Sequence, residues 1–347
     1  MLFQAMEFPN IDPAALTLPG FELFGLALGP FPLRGYALAY IAGIVFAWRW
    51  MVRLIQREAL WAPGKPPLGA ALVDDFITWA MLGIIIGGRL GSVLFYTPNL
   101  IWENPFAILR MWEGGMSFHG GFIGVVLAIL WFTRQQHVDE AQFAALAKKR
   151  AIAEVPDEKR RDYLRFQALG WVKKTDIAEL SAKARTVKID LLRFGDIVAA
   201  ASPVGIFLVR IANFINGELW GRPTDAPWGV VFCNERIRET LGYCPAGEIA
   251  RHPSQLYEAA LEGGALFAII NIATLRFNSL RRPGLNVGLF LLGYGLFRFA
   301  LEFVREPDAQ MPEALRGYLT MGMILSAPMI AAGVWLIRRA FTAPKLA

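Results

Sequence analysis

The sequence predicts an all-α, polytopic membrane protein with about seven transmembrane helices, and three observations carry that prediction. Hydrophobic residues make up 55% of the 347-residue chain and charged residues only 18%, with a mean hydropathy of +0.40, far from the soluble average. Seven apolar stretches are long enough to cross a hydrocarbon core of about 30 Å, which takes roughly 20 helical residues. Glycine-rich stripes such as GGRLGSVLFY at 87–96 suit close helix packing and lack the ~10-residue alternation of a membrane barrel.

The elements follow in order. Residues 1–33 contain no basic residue, since the first is Arg34; they lack the start of a cleavable signal and read as an outward-facing, partly apolar segment lying on the membrane surface. Transmembrane helices 1–3 occupy 34–132, near 34–54, 72–96 and 115–132. Small residues such as Gly87, Gly88, Gly91, Gly120, Gly121 and Gly124 let these helices approach one another closely. Residues 133–194 form a charged cytoplasmic helical insertion broken by Pro156. Its two amphipathic stretches, at 139–154 and 157–174, read either as a solvated hairpin or as a dock for a partner or anionic headgroups. Helices 4–7 follow within 195–347, near 195–212, 255–275, 285–304 and 318–337, with an outward loop at 213–254. No internal repeat of the kind found in many transporters is visible.

Basic residues orient the chain. With the N-terminus outside and the C-terminus cytoplasmic, the inside segments hold 24 of the 35 basic residues, including all nine lysines, as the positive-inside rule requires. That asymmetry accounts for the net charge of +6 without a nucleic-acid partner. Cys233 and Cys244 both lie in the outward loop, where a disulfide and two free thiols are equally open. The three histidines are scattered at 119, 137 and 252, and no helix presents a metal-binding pair, so neither a metal nor another cofactor is expected.

Polar residues gather at one depth. Tyr36 opens the first span, His119 enters the third, Arg210 and Asn213 end the fourth, and Arg298, Glu302 and Arg305 end the sixth. Arg89 lies seven residues from Tyr96, about 10 Å below the outer edge. An ion path distributes charge through the full thickness and a transporter gathers it near the midplane; a site at one interface suits a lipid headgroup. Each residue also has a plainer role: arginines near helix ends snorkel, and a lone histidine such as His119 packs between helices. Arg298, Glu302 and Arg305, spaced by four and three, share one helical face, where a glutamate neutralises one arginine and orients both. Arginine's planar fork pairs with two phosphate oxygens.

The segments RGYALAY, GGRLGSVLFY, GGMSFHGGFIG, RIANFINGELWGR, RHPSQLYEA and GLFRFALEFVREPDAQ closely resemble, in order, those of the prolipoprotein diacylglyceryl transferase family. The run from Arg210 to Gly221 is its signature. Val209 stands where the signature usually begins with glycine, and the stretch 134–193 is longer than is usual for the family. The resemblance implies a bacterial inner-membrane enzyme, with its site toward the outer leaflet, that moves the diacylglyceryl group of phosphatidylglycerol to the lipobox cysteine thiol of a preprolipoprotein signal peptide. A thioether forms and glycerol phosphate leaves. It further implies a functional set of Tyr36, His119, Arg210, Asn213, Glu218, Gly221, Arg298, Glu302 and Arg305.

Chemistry assigns roles within that set. A cysteine thiol, with pKa about 8.5, is mostly protonated at neutral pH, and His119 is the natural general base. Arg210 and Arg298 hold the donor phosphate and stabilise its departure. Asn213 and Asn216 bond glycerol or phosphate oxygens, Glu218 orients an arginine, Tyr36 donates at the headgroup level and Gly221 serves the backbone turn. The alternative function is an anionic-lipid transporter or flippase, which uses the same arginines without forming a thioether; a scaffold that only binds lipoprotein signal segments is a further rival.

Overall fold

The structure, a computed structural model, describes residues 5–23, 26–28, 31–61, 64–110, 115–135, 137–138, 186–306 and 319–343. The described chain is mostly helical. Among the described residues, five helices are long and apolar enough to cross a membrane: Gly35–Gln56 (α1), Ala71–Tyr96 (α2), the broken helix Leu191–Asn216, Ser254–Phe277 (α6) and Met321–Thr342 (α8). Two shorter apolar helices, Phe118–Arg134 (α3) and Leu285–Leu301 (α7), fall at the other two expected spans. The broken helix divides at Ser202 into Leu191–Ala201 (α4) and Pro203–Asn216 (α5), because Pro203 lacks an N–H to continue the ladder and is suited to a helix start. Residues 139–154 and 157–174, expected as amphipathic helices, lie outside the described residues.

The all-α expectation needs one correction, since short strands are present. Among residues 1–33 run Met6–Glu7 (β1), Ala14–Leu18 (β2), Phe21–Leu23 (β3) and Leu26–Leu28 (β4), and Phe31–Arg34 (β5) leads into α1. His137–Val138 (β6) pairs with Thr186–Val187 (β7), and Val230–Val231 (β8) and Ala250–Arg251 (β9) lie in the loop between α5 and α6. β2 pairs antiparallel with β5 and β3 with β4. β1 runs parallel to β8, which runs antiparallel to β9. Two-residue strands carry too little alternation to register as a period in the sequence.

The chain forms two compact units, Met1–Leu54 with Ala59–Ala62 and Gly195–Ala347, and Ile55–Glu58 with Pro63–Phe194. In the second unit α2 and α3 touch backbone to backbone. A Cβ on Gly83 would stand 2.5 Å from the Gly124 carbonyl oxygen, and one on Gly87 would stand 2.9 Å from the Gly124 Cα, so the small-residue stripe forms the helix contact. Phe76 packs edge-on to Phe194 at 4.7 Å and beside Phe132 at 5.6 Å.

In the first unit, a buried polar network fixes one end of the helices. Asp196 accepts from the backbone N–H groups of Gly284 (2.7 Å) and Val287 (3.0 Å) and so caps α7 from a neighbouring helix, satisfying donors that a helix start leaves open. Asn286 donates to Thr274 at 2.9 Å and accepts from Ser279 at 2.6 Å. Trp50 on α1 reaches Asn271 on α6 at 2.8 Å. The β1–β8–β9 sheet covers a small core of Phe8, Val230, Phe232 and Ala246, with Phe214 and Trp220 packed against it. Cys233 and Cys244, 5.4 Å apart at Cα, are disulfide-bonded, which settles the alternative left open by their spacing. Glu248 lies within 4.8 Å of both sulfurs, but neither disulfide sulfur is a thiolate able to ligate a metal.

Candidate active site

Three helices of the first unit bring buried charges together at one end. α5 supplies Arg210, α6 supplies Glu258 and Glu262, and α7 supplies Arg298, with Glu302 at its C-cap and Arg305 just beyond. The three arginines are 6–9% exposed and the three glutamates 0–3%, so each charge needs partners. Glu258 is the hub. Its Oε2 lies 2.8 Å from Arg210 Nε and 3.7 Å from Arg298 Nη1, while its Oε1 accepts a hydrogen bond from Arg305 Nη1. Glu302 Oε1 lies 2.8 Å from Arg298 Nη2 and 3.4 Å from Arg305 Nε, the bridging expected from the spacing of four and three. Glu262 stands further off, 3.6 Å from Arg210 Nη2 and 3.9 Å from Arg298 Nη1.

Local backbone explains how α6 presents two acids. Ala259–Ala265 form a π-helical turn within α6, a wider turn than α in which residues four apart stay on one side. Gly263 lets this turn meet α5: a Cβ there would stand 2.6 Å from the Cβ of Phe207, one turn before Arg210. Glu302 is confined in a similar way by α8, where a Cβ on Gly322 would stand 2.5 Å from the Glu302 Cδ.

The signature wraps the cluster. α5 ends at Gly217, whose φ of 68° is left-handed, a conformation open to glycine at no steric cost. Leu219 also has positive φ, 59°, and is held by hydrogen bonds from Gln255 to the Glu218 carbonyl (2.5 Å) and from Ser254 to its own carbonyl (3.0 Å). Asn213 and Asn216 both donate to Glu218 Oε1, at 2.9 and 3.0 Å; Glu218 thus collects two amides, where an arginine partner was expected. Gly221 donates to the His252 carbonyl at 2.9 Å and pairs with Arg305 as a β-bridge, and Arg222 Nε donates to the Arg305 carbonyl at 2.8 Å. A Cβ on Gly221 would stand 2.8 Å from the His252 Cβ, which fits the expected backbone role. Burial lowers the pKa of His252, whose Nδ1 lies 3.3 Å from the Tyr257 hydroxyl.

Tyr36 stands within electrostatic reach of Arg210 and Glu218, and the other expected residues fall elsewhere. The Tyr36 hydroxyl, at the first turn of α1, lies 3.3 Å from that of Tyr40. Arg89 belongs to the second unit, where it donates to the carbonyls of Ala107 (2.6 Å), Ile108 (2.9 Å) and Gly115 (3.2 Å) and so holds a loop. His119, half-buried, is also in the second unit, at the start of α3 beside its N-cap Ser117. Glu258 and Glu262 were missed by sequence reasoning, although two glutamates four apart in an otherwise apolar span are themselves a signal.

Several long apolar helices around a buried arginine–glutamate cluster define a multi-pass membrane protein with an arginine-rich polar site. The chain belongs to the prolipoprotein diacylglyceryl transferase family, whose profile matches residues 23–153 and 177–339. It is 48% identical to a phosphatidylglycerol–prolipoprotein diacylglyceryl transferase of Phenylobacterium zucineum (strain HLK1), over 99% of this chain and 98% of that protein. Proteins of the same name from Caulobacter sp. (strain K31) and Cereibacter sphaeroides (strain ATCC 17029 / ATH 2.4.9) are 45% and 43% identical, over 98% and 96% of this chain and 96% and 97% of their own. The unmatched stretch between 153 and 177 lies in the long insertion, and the near-complete alignments show that these relatives share a chain of this extent.

Proposed function

We propose that this chain transfers the diacylglyceryl group of phosphatidylglycerol to the lipobox cysteine thiol of a preprolipoprotein. Family membership and the relatives' names support the reaction. The observation that carries the site is the convergence of Arg210, Arg298 and Arg305 on Glu258, with Arg298 Nε and Nη1 buried and making no hydrogen bond. Acids face both terminal nitrogens of Arg298, and its Nε–H remains as a donor for a phosphate oxygen.

The cysteine sulfur attacks the glycerol carbon that bears the phosphate. A C–S bond forms, the C–O bond breaks, its electron pair leaves on the phosphate oxygen, and the thiol proton passes to His119 as general base. Arg210 and Arg298 stabilise the leaving phosphate. Tyr36, Asn213, Asn216, Glu218, Gly221, Glu302 and Arg305 complete the donor site. The chain crosses a bacterial inner membrane seven times, N-terminus outside and C-terminus cytoplasmic, with this site toward the outer leaflet; the basic-residue asymmetry supports that orientation.

The test is release of glycerol phosphate by purified protein in phosphatidylglycerol vesicles, with a lipobox peptide carrying cysteine or serine. Release only with the cysteine peptide is expected. Lipid movement between leaflets with no release points instead to a flippase.

A further inference from the structure

Glu262 differs from the two acids beside it. Glu258 and Glu302 each take a contact of 2.8 Å or less from an arginine. Glu262 is 0% exposed, yet its nearest arginine nitrogens are 3.6 and 3.9 Å away and neither oxygen makes a hydrogen bond. Leaving a buried carboxylate without hydrogen bonds is costly. Glu262 sits in the π-helical turn, whose next residue, Gly263, abuts Phe207. At this standoff Glu262 supplies negative charge without occupying arginine N–H donors.

Charge shows what that does. Arg210, Arg298 and Arg305 against Glu258, Glu262 and Glu302 sum to zero, and removing Glu262 leaves +1. During transfer a phosphodiester with one negative charge becomes a phosphate monoester with up to two, so unbalanced arginines would grip the product more tightly than the donor. We propose that Glu262 is a positioning residue that balances the charge of Arg210 and Arg298 so that the phosphate monoester leaves. This rests on the transferase reading of the same site.

The test is calorimetric binding of glycerol phosphate to the full-length protein in detergent, beside thioether formation and thermal unfolding. Glu262→Gln is expected to lower the dissociation constant about tenfold and to lower kcat while KM for phosphatidylglycerol also falls. A merely structural role would weaken binding, so an unchanged or raised dissociation constant in a folded Glu262→Gln protein overturns the proposal. If that variant does not fold, Glu262→Asp decides: it keeps the charge and shortens the side chain by one methylene, so its dissociation constant for glycerol phosphate must stay within about twofold of the wild-type value, and a change of about tenfold in either direction is contrary. Wild-type protein that forms no thioether, with tighter binding still seen in the variant, rejects the transferase reading and leaves the charge balance standing.

Discussion

Arg210 Nε lies 2.8 Å from Glu258 Oε2, joining α5 to α6 through a carboxylate that is fully buried. Because Glu258 also meets Arg298 and Arg305, Glu258→Ala removes the acid that three buried cations share. Breaking a buried ion pair from one side costs about 3–5 kcal/mol, so thermal unfolding in detergent is expected to shift strongly downward, with transfer activity lost. A Glu258→Ala protein that melts like wild type would show that the hub is not holding the helices.

Arg210 addresses two acids from different nitrogens, Glu258 by Nε and Glu262 by Nη2. Lysine offers one ammonium and no planar fork. Arg210→Lys is expected to remain folded and to lose about a hundredfold in kcat, the scale of one missing electrostatic contact in the transition state. Near-normal turnover would mean that charge alone suffices.

These two residues also mark what was legible in the sequence. Arg298, Glu302 and Arg305 were found because spacings of four and three obey a local helical rule, and their shared carboxylate contacts bear this out, even though the helix itself stops at Leu301. The apolar spans were legible because composition over about 20 residues is a strong signal. The π turn was not, since it depends on Gly263 meeting Phe207 from another helix. Nor was the β1–β8 pairing of Met6 with Val230, or the Cys233–Cys244 bond, which follows from tertiary proximity. Glu218 was misassigned to an arginine because sequence order does not show that Asn213 and Asn216 reach it first.

His119 is half-buried and begins α3. Its proposed role as general base is tested by a replacement that leaves the fold intact. His119→Gln is expected to keep the wild-type melting temperature and to lower kcat by about a hundredfold or more; full activity would remove it from proton transfer.

Gly322 gives the Glu302 carboxylate its room on α8. Gly322→Ala places a methyl against that carboxylate and is expected to displace it from Arg298 and Arg305, lowering kcat about tenfold through misplacement. Gly205→Ala is the control, because a Cβ there meets nothing within 4 Å, and it should turn over normally. Equal activity of the two variants would show that Glu302 tolerates the shift.

The most direct measurement is the mass of a synthetic lipobox peptide after incubation with the purified protein and phosphatidylglycerol. A gain of one diacylglyceryl group, located on the cysteine sulfur and formed about a hundredfold more slowly by Arg210→Lys, is the predicted result. An unmodified peptide from folded, lipid-supplied wild-type protein would contradict the account.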